Sequence, residues 1–147
     1  MATTLSSKSA IHINAPRTRV WQALTRPEQI KQWFFGVDTF TDWKVGSPLV
    51  HKGTYQGQPY EDRGNILEIN PPELLEHSHW SKQSGLPDEP ENYQHVTWAL
   101  VEQGGGTDLT VSETNLPNEK AKAISDQSWQ MVLGNLKKLV ENGSAPK

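Results

Sequence analysis

The sequence predicts an α+β fold: one strand, two short helices, an antiparallel sheet and a long C-terminal helix. Three observations predict it. Runs rich in Val, Ile, Thr, Tyr and Trp alternate with Gly, Pro and Asn between residues 37 and 115. Two short amphipathic segments precede these runs, and one long amphipathic segment follows them. The 147 residues are enough for a single domain, whose ordered core we place at about residues 9–142.

The chain begins with a short strand and two short helices. Apolar and polar residues alternate over residues 9–13, which indicates the strand. Pro16 suits the first turn of the first helix, and residues 25–28 have the form of a capping box that starts the second. We expect Trp21 and Trp33 to anchor these helices in the core.

Six further strands follow, and turn-forming residues separate them. The clearest turns are Gln56-Gly57-Gln58-Pro59, Asn70-Pro71-Pro72 and Gly104-Gly105-Gly106. A meander, in which each strand pairs with the next, is the simplest connectivity. The predicted strands cover residues 37–43, 48–55, 60–69, 74–80, 94–101 and 108–114.

The last element is a helix from Glu119 to Glu141, with Asn118 as its N-cap and Asn142-Gly143 as its stop signal. One face of this helix is apolar, so we expect that face to be buried. The face carries Ile124, Ser128, Trp129, Val132, Leu136, Leu139 and Val140. Residues 144–147 are expected to form a frayed tail.

Composition excludes several classes of function. Lys and Arg number 14 against 17 Asp and Glu, and this net charge of −3 argues against a nucleic-acid partner. The chain has no cysteine, which excludes thiol chemistry and thiolate metal sites. No apolar run is long enough for a signal peptide or a membrane span, so we expect a cytoplasmic protein without membrane insertion. No phosphate-binding loop or nucleophile elbow is present, and no cofactor is expected.

A series of short motifs occurs in order between about residues 11 and 141. They include Ala15-Pro16, Val20-Trp21-Gln22-Ala23-Leu24-Thr25, Pro27-Glu28, Trp33-Phe34, Asp42-Trp43-Lys44-Val45-Gly46-Ser47, Tyr60-Glu61-Asp62-Arg63-Gly64, Gly106-Thr107-Asp108-Leu109-Thr110 and Trp129. Their order and spacing resemble the START-like superfamily, also called SRPBCC or birch-pollen-allergen-like. Within it, the chain is similar to the family named for the activator of the heat-shock-protein-90 ATPase.

This resemblance implies a helix-grip fold, in which a curved sheet of six to seven strands wraps around the C-terminal helix. It also implies a cup for a small hydrophobic molecule, since members bind lipids, polyketides or plant phenolics, and a few are cyclases. The family name further implies a chaperone partner and a role in the stress response. The resemblance leaves a monomer and a homodimer both open.

Regular alternation along the strands predicts which side chains face the cup. If Leu75 points inward, so do His77 and His79, and Val111 brings Glu113 to the same face. Such a wall is mostly apolar with a few polar groups, as in small-molecule sites. The predicted ligand-binding residues are His77, His79, Trp98, Leu100, Val111, Glu113, Trp129, Val132 and Leu136.

Three of these residues could also transfer protons. His77 and His79 are candidate proton shuttles or hydrogen-bonded structural histidines, and Glu113 is a candidate base or a strand-end carboxylate that meets water or an Arg. The two histidines would give two metal ligands, whereas a site needs about three or four, so no metal is predicted. His51 is interpreted as an ordinary strand residue, and Asp62 as part of a solvated charge cluster.

Three functions follow as hypotheses. The first is the binding of a small hydrophobic or aromatic molecule, because one long helix cannot fill a strongly curved sheet and space should remain between them. The second is a cyclase-like or hydrolytic enzyme that uses the cavity His and Glu residues. The third is a protein-interaction module. Residues 81–93, the longest irregular segment, are predicted to gate access to the cavity.

Overall fold

The computed structural model of the chain describes residues 5–82 and 85–142, and in them an antiparallel sheet of seven strands packs against three α-helices. The elements are β1 (Leu5–Ile13), α1 (Arg17–Thr25), α2 (Pro27–Trp33), β2 (Asp38–Phe40), β3 (Pro48–Tyr55), β4 (Gln58–Asn70), β5 (Leu74–Ser81), β6 (Gln94–Gln103), β7 (Gly106–Leu116) and α3 (Glu119–Glu141). The predicted α+β fold class is confirmed. No described helix combines the length and hydropathy that a membrane-spanning helix needs.

The strands follow the order β1-β7-β6-β5-β4-β3-β2, and every neighbouring pair is antiparallel. The predicted meander is therefore present from β2 to β7, and β1 closes it along β7. β1 begins at Leu5 rather than at residue 9, because it pairs with β7 as far as Leu116. β2 ends at Phe40 rather than at residue 43, because Trp43 takes a positive φ of 58° and the chain turns there.

The two short helices are joined by a tryptophan hydrogen bond rather than by a capping box. Arg26 occupies the N-cap of α2 without a side-chain bond, and the Thr25 hydroxyl donates to the Trp21 carbonyl at 2.9 Å. The predicted capping box is wrong because Thr25 still belongs to the last turn of α1. The buried Trp33 indole donates to the Ala23 carbonyl at 2.8 Å and anchors α2 on α1.

Helix α3 has the predicted bounds, and the Asn118 side chain caps it by accepting a hydrogen bond from the Ala121 N–H at 2.9 Å. Most of its apolar face is buried, but Ile124 is 56% exposed and this part of the prediction is wrong. The N-terminal half of α3 borders a cavity, and side-chain hydrogen bonds such as the one from Ser7 to Asp126 connect it to the sheet. Gly143 and residues 144–147 lie outside the described residues.

The packed core occupies only one end of the space between α3 and the sheet. Its most deeply buried side chains come from the end of β1, the paired segments of β6 and β7, and the C-terminal half of α3. They include Ile13, Leu100, Leu109, Val111, Leu133 and Leu136, each at most 2% exposed. The candidate site lies at the other end of this space.

A close approach between β4 and β5 depends on Gly64. A Cβ atom at this position would lie 1.8 Å from the Ser78 carbonyl oxygen, well inside van der Waals contact. The neighbouring Asn65 N–H is bonded to the Ser78 hydroxyl at 2.9 Å, so the two strands are held together at this point. Only glycine fits between them without moving the backbone.

Replacement of Gly64 by Ala should therefore lower the free energy of unfolding by about 2 kcal/mol or more, because β4 and β5 must separate locally. Urea unfolding followed by far-ultraviolet circular dichroism measures this change. Gly134→Ala is the matched control, since no atom lies within 4 Å of a Cβ there. That helical position should gain about 0.5–1 kcal/mol. Equal stability of the two variants would contradict the prediction.

Candidate functional site

A cavity of about 660 Å³ lies between the N-terminal half of α3 and the inner face of the sheet. Small-molecule sites typically measure roughly 300–1,000 Å³, so this volume suits a ligand of several fused rings. Phe35 and Ile124 line the cavity although they are 53% and 56% exposed. They therefore mark its mouth, between the turn after α2 and the first half of α3.

Three tryptophans form an aromatic wall on one side of the cavity. Trp33 of α2, Trp98 of β6 and Trp129 of α3 meet edge to face, with ring centres 5.7 and 5.4 Å apart. Each indole N–H is bonded within the protein: to the Ala23 carbonyl, to His77 Nε2 and to Glu113 Oε1. The aromatic wall thus presents ring carbons, not donors, to the cavity.

Five His, Asp and Glu side chains cross the inner face of the sheet and also line the cavity. We call them the polar belt: His51, Asp62, His77, His79 and Glu113. The strand register brings them together, because His51 pairs with Asp62 across β3 and β4, and Val96 pairs with both His77 and Glu113.

His77 is held in its neutral form. Its Nδ1 lies 3.1 Å from the Ser78 carbonyl and must donate, while its Nε2 accepts from the Trp98 indole at 3.3 Å. If Nε2 also carried a proton, its N–H and the Trp98 indole N–H would be two donors facing each other without an acceptor. Burial, together with the nearby His79, accordingly lowers the pKa of His77 to about 4 despite the bond to the Ser78 carbonyl.

His79, two residues along the same strand, has its pKa shifted in the opposite direction. Burial disfavours its charged form, but a hydrogen bond and the charge of Asp62 outweigh that effect and raise the pKa above its ordinary value. Its Nε2 lies 3.3 Å from Asp62 Oδ2, and the Gln94 side chain bonds to the ring as well. The Gln94 amide nitrogen already donates to two carbonyls, so the amide oxygen is left to accept from the ring.

The remaining histidine of the polar belt is also neutral. His51 Nδ1 lies 2.9 Å from the Thr39 hydroxyl, and burial, with the nearby His77 and His79, lowers the pKa of His51 to about 3. Burial alone would raise the pKa of Asp62, but hydrogen bonds from His79 and Ser81 hold it below its ordinary value. The second oxygen of Asp62, Oδ1, is buried and has no hydrogen-bond partner among the described residues.

Glu113 ties helix α3 to the sheet. One of its oxygens, Oε1, accepts from the Ser125 hydroxyl at 2.6 Å and from the Trp129 indole at 3.0 Å. Both donors lie on the first half of α3, where the helix spans the cavity. Described residues form no hydrogen bond to the other oxygen, Oε2. Glu113 thus connects α3 to the sheet through Oε1, while Oε2 stays available as an acceptor.

Six of the nine predicted site residues line this cavity: His77, His79, Trp98, Glu113, Trp129 and Val132. Leu100, Val111 and Leu136 face the same side of the sheet and helix but lie in the packed core. Alternation predicts which face of a strand a side chain occupies. Whether that side chain lies in the core or at the cavity depends on where α3 contacts the sheet. The role of the six in ligand binding stays a prediction.

The sequence interpretation missed several cavity residues. His51 is buried at the cavity wall rather than being an ordinary strand residue, and Asp62 is paired with His79 rather than solvated. The signal was present, because Asp62 and Ile66 share a face and Ile66 is an obvious core residue. The aromatic residues missed at the mouth and floor are Phe34, Phe35, Trp43 and Tyr60.

The segment 81–93 does not gate the cavity. Trp80 and Tyr93 stack at 6.4 Å, and the Asn115 side chain donates to the carbonyls of Glu91 and Tyr93. These contacts hold the segment against β5 and β7, and none of its described residues lines the cavity. Residues 83 and 84 lie outside the described part of the chain. The prediction of a gate here is therefore wrong.

Metal binding was predicted to be absent. Within residues 5–82 and 85–142, no group of three or more His, Cys, Asp or Glu side chains is arranged to hold a metal ion.

Comparison with known proteins places the chain among relatives of the same fold. A family model described as "Activator of Hsp90 ATPase homolog 1-like protein" matches residues 14–141. The solution structure of ChR145 from Cytophaga hutchinsonii shares 40% identity, covers 99% of this chain and 100% of its own, and superposes with a TM-score of 0.83. No curated protein matches the chain.

Two more distant structures share the fold. The Aha1 dimer from Colwellia psychrerythraea is 20% identical, with 95% of this chain and 98% of that chain covered and a TM-score of 0.75. DynU16, a protein in the dynemicin biosynthetic locus, is 21% identical, with 94% of this chain and 48% of that chain covered and a TM-score of 0.76.

The contrast between His77 and His79 predicts two different titrations. In nitrogen-detected NMR, His77 should stay in the Nδ1–H form down to about pH 4. His79 should titrate at a higher pH than its ordinary value of 6.5. Asp62→Asn should lower the pKa of His79 and leave the tautomer of His77 unchanged. Titration of both rings at the same pH would contradict the assignment.

The neutral histidines also predict acid sensitivity of the fold. Because the folded pKa values of His77 and His51 lie below the unfolded value of 6.5, the unfolded chain binds more protons between pH 6.5 and about pH 4. The free energy of unfolding should thus fall across this range, by more than about 1 kcal/mol per histidine. His79 adds no slope there, since both of its states are protonated below pH 6.5.

Urea unfolding at stepped pH measures this loss. His77→Gln lacks one of the two groups, so its stability should decline less steeply over the same range. A stability that is flat from pH 6.5 to pH 4 would contradict the neutral assignments.

Proposed function

This chain belongs to the Activator of Hsp90 ATPase homolog 1-like family, and we propose that it binds a small hydrophobic or aromatic molecule in the cavity between α3 and the sheet. One observation carries the proposal: a cavity of about 660 Å³ is walled by aromatic rings and opens to the surface beside exposed apolar side chains. Close-packed proteins rarely keep such an apolar volume without a use for it.

The energetics favour a ligand of moderate affinity. An apolar guest that buries roughly 200–300 Å² of its own surface gains about 5–8 kcal/mol before the costs of association. Since a net gain of about 8 kcal/mol corresponds to a Kd of about 1 μM, those costs make micromolar affinity the tightest that we expect. The exposed Phe35 and Ile124 at the mouth give an arriving apolar molecule its first contacts. DynU16, which has the same fold, comes from a biosynthetic locus, and this setting is compatible with a small-molecule role.

Catalysis by the cavity histidines is less well supported than binding. Both ring nitrogens of His77 are engaged, one with the Ser78 carbonyl and one with the Trp98 indole. The ring of His79 is likewise held from both sides, by Asp62 and Gln94. A proton shuttle needs a ring nitrogen that faces substrate, and neither ring offers one in this arrangement.

The chaperone partner and the choice between monomer and homodimer stay predictions. Either interaction would use outer surfaces, whereas the features described above lie inside the cavity.

The binding proposal predicts saturable uptake of a neutral aromatic probe. N-phenyl-1-naphthylamine, whose fluorescence rises when it leaves water, should bind with a micromolar Kd. Ser128→Phe places a ring in the cavity from α3 and should weaken this binding at least about tenfold. Gln130→Phe adds the same ring to the exposed face of the same helix and should bind like the wild type.

Mass spectrometry of the denatured, purified protein gives an independent test, since a retained natural ligand would be released. Failure of the probe to saturate, or equal binding by the two Phe variants, would count against the cavity as a binding site.

A further inference from the structure

The charges that line the cavity are unbalanced. None of its lining residues is Lys or Arg, whereas Asp62 and Glu113 are both present. His79 is the histidine of the polar belt whose pKa is raised, and any positive charge that it carries is paired with Asp62 at 3.3 Å. His51 and His77 are neutral. The negative charge of Glu113 therefore has no counter-ion within the polar belt.

The hydrogen-bond donors of the aromatic wall and of Ser125 are already used. The indole N–H groups of the aromatic wall, Trp33, Trp98 and Trp129, bond within the protein, and the Ser125 hydroxyl donates to Glu113. An anionic group entering the cavity would find none of these donors free. The other polar side chains of the lining, such as Thr54, Tyr60 and Ser128, are neutral.

One acceptor remains available. Glu113 Oε2 forms no hydrogen bond with the described residues, and Glu113 is only 8% exposed. Asp62 Oδ1 also lacks a partner there, but it has almost no accessible surface, so a ligand in the cavity does not reach it. A buried carboxylate oxygen without a donor is costly, and a ligand that brings a donor removes this cost.

We infer that the cavity selects neutral or cationic ligands whose polar end carries hydroxyl or amino donors, and that it rejects ligands ending in a carboxylate or a phosphate. The inference rests on the proposed binding function and specifies its ligand class. An amine or hydroxyl would donate to Glu113 Oε2 while its apolar body packs on the aromatic wall. A carboxylate would be desolvated beside like charges, with no cation to offset them.

The experiment uses three probes with one naphthalene body: 2-naphthylmethylamine, 2-naphthylmethanol and 2-naphthoate. Each competes with N-phenyl-1-naphthylamine for the purified full-length chain at neutral pH. The amine and the alcohol should displace the fluorescent probe at concentrations at least about tenfold lower than the carboxylate does. Tighter or equal binding of the carboxylate would overturn the inference.

Two variants locate the source of the selection. Glu113→Gln keeps an oxygen for Ser125 and Trp129 but removes the charge. The ratio between the displacing concentrations of the carboxylate and the amine, which we call the gap, should therefore fall several-fold. Glu68→Gln removes the same charge from an exposed position outside the cavity lining and should leave the gap unchanged. This control separates local selection from the net charge of −3.

The outcomes distinguish the two proposals. Absence of any fluorescent-probe binding would contradict the binding function itself. Probe binding with an equal response to the three naphthalenes, or a gap that Glu113→Gln does not change, would contradict only the inferred ligand class.

Discussion

The structure depends on one geometric constraint: a straight helix of 23 residues cannot follow a curved sheet along its whole length. The C-terminal half of α3 packs closely, with Leu133 and Leu136 almost fully buried. The N-terminal half is held above the sheet by the two hydrogen bonds that Ser125 and Trp129 make to Glu113. The same carboxylate therefore stabilises the fold and keeps the cavity from closing, since it sets a polar spacer between helix and sheet.

In the polar belt, burial favours the neutral form of each histidine, and the hydrogen-bond partners decide which histidine departs from that. His77 and His79 lie on one face of one strand, yet burial and the Trp98 donor favour neutral His77, whereas the Asp62 carboxylate raises the pKa of His79. An indole N–H can only donate, so its partner must accept. The aromatic wall thus contributes to the electrostatics of the cavity as well as to its apolar surface.

Sequence patterns predicted the elements well where the local signal is strong. Helix α3 and its Asn118 cap, the meander from β2 to β7, and the inward direction of His77, His79 and Glu113 all follow from periodicity and turn chemistry. The failures share a cause. Thr25, Ile124 and the segment 81–93 were assigned from local sequence patterns, which do not show where α1 ends, where α3 borders the cavity or which strands hold the segment.

Side-chain direction repeats every two residues in a strand and about every 3.6 in a helix, so the local pattern was enough to establish the fold class and the inner face of each strand. That pattern does not show how deeply a side chain is buried or which distant side chain it contacts. Asp62 meets His79 across 17 residues, and Trp98 meets His77 across 21. Only the assembled sheet, with α3 lying across it, determines which inward residues fill the core, which border open space and which histidine keeps its proton.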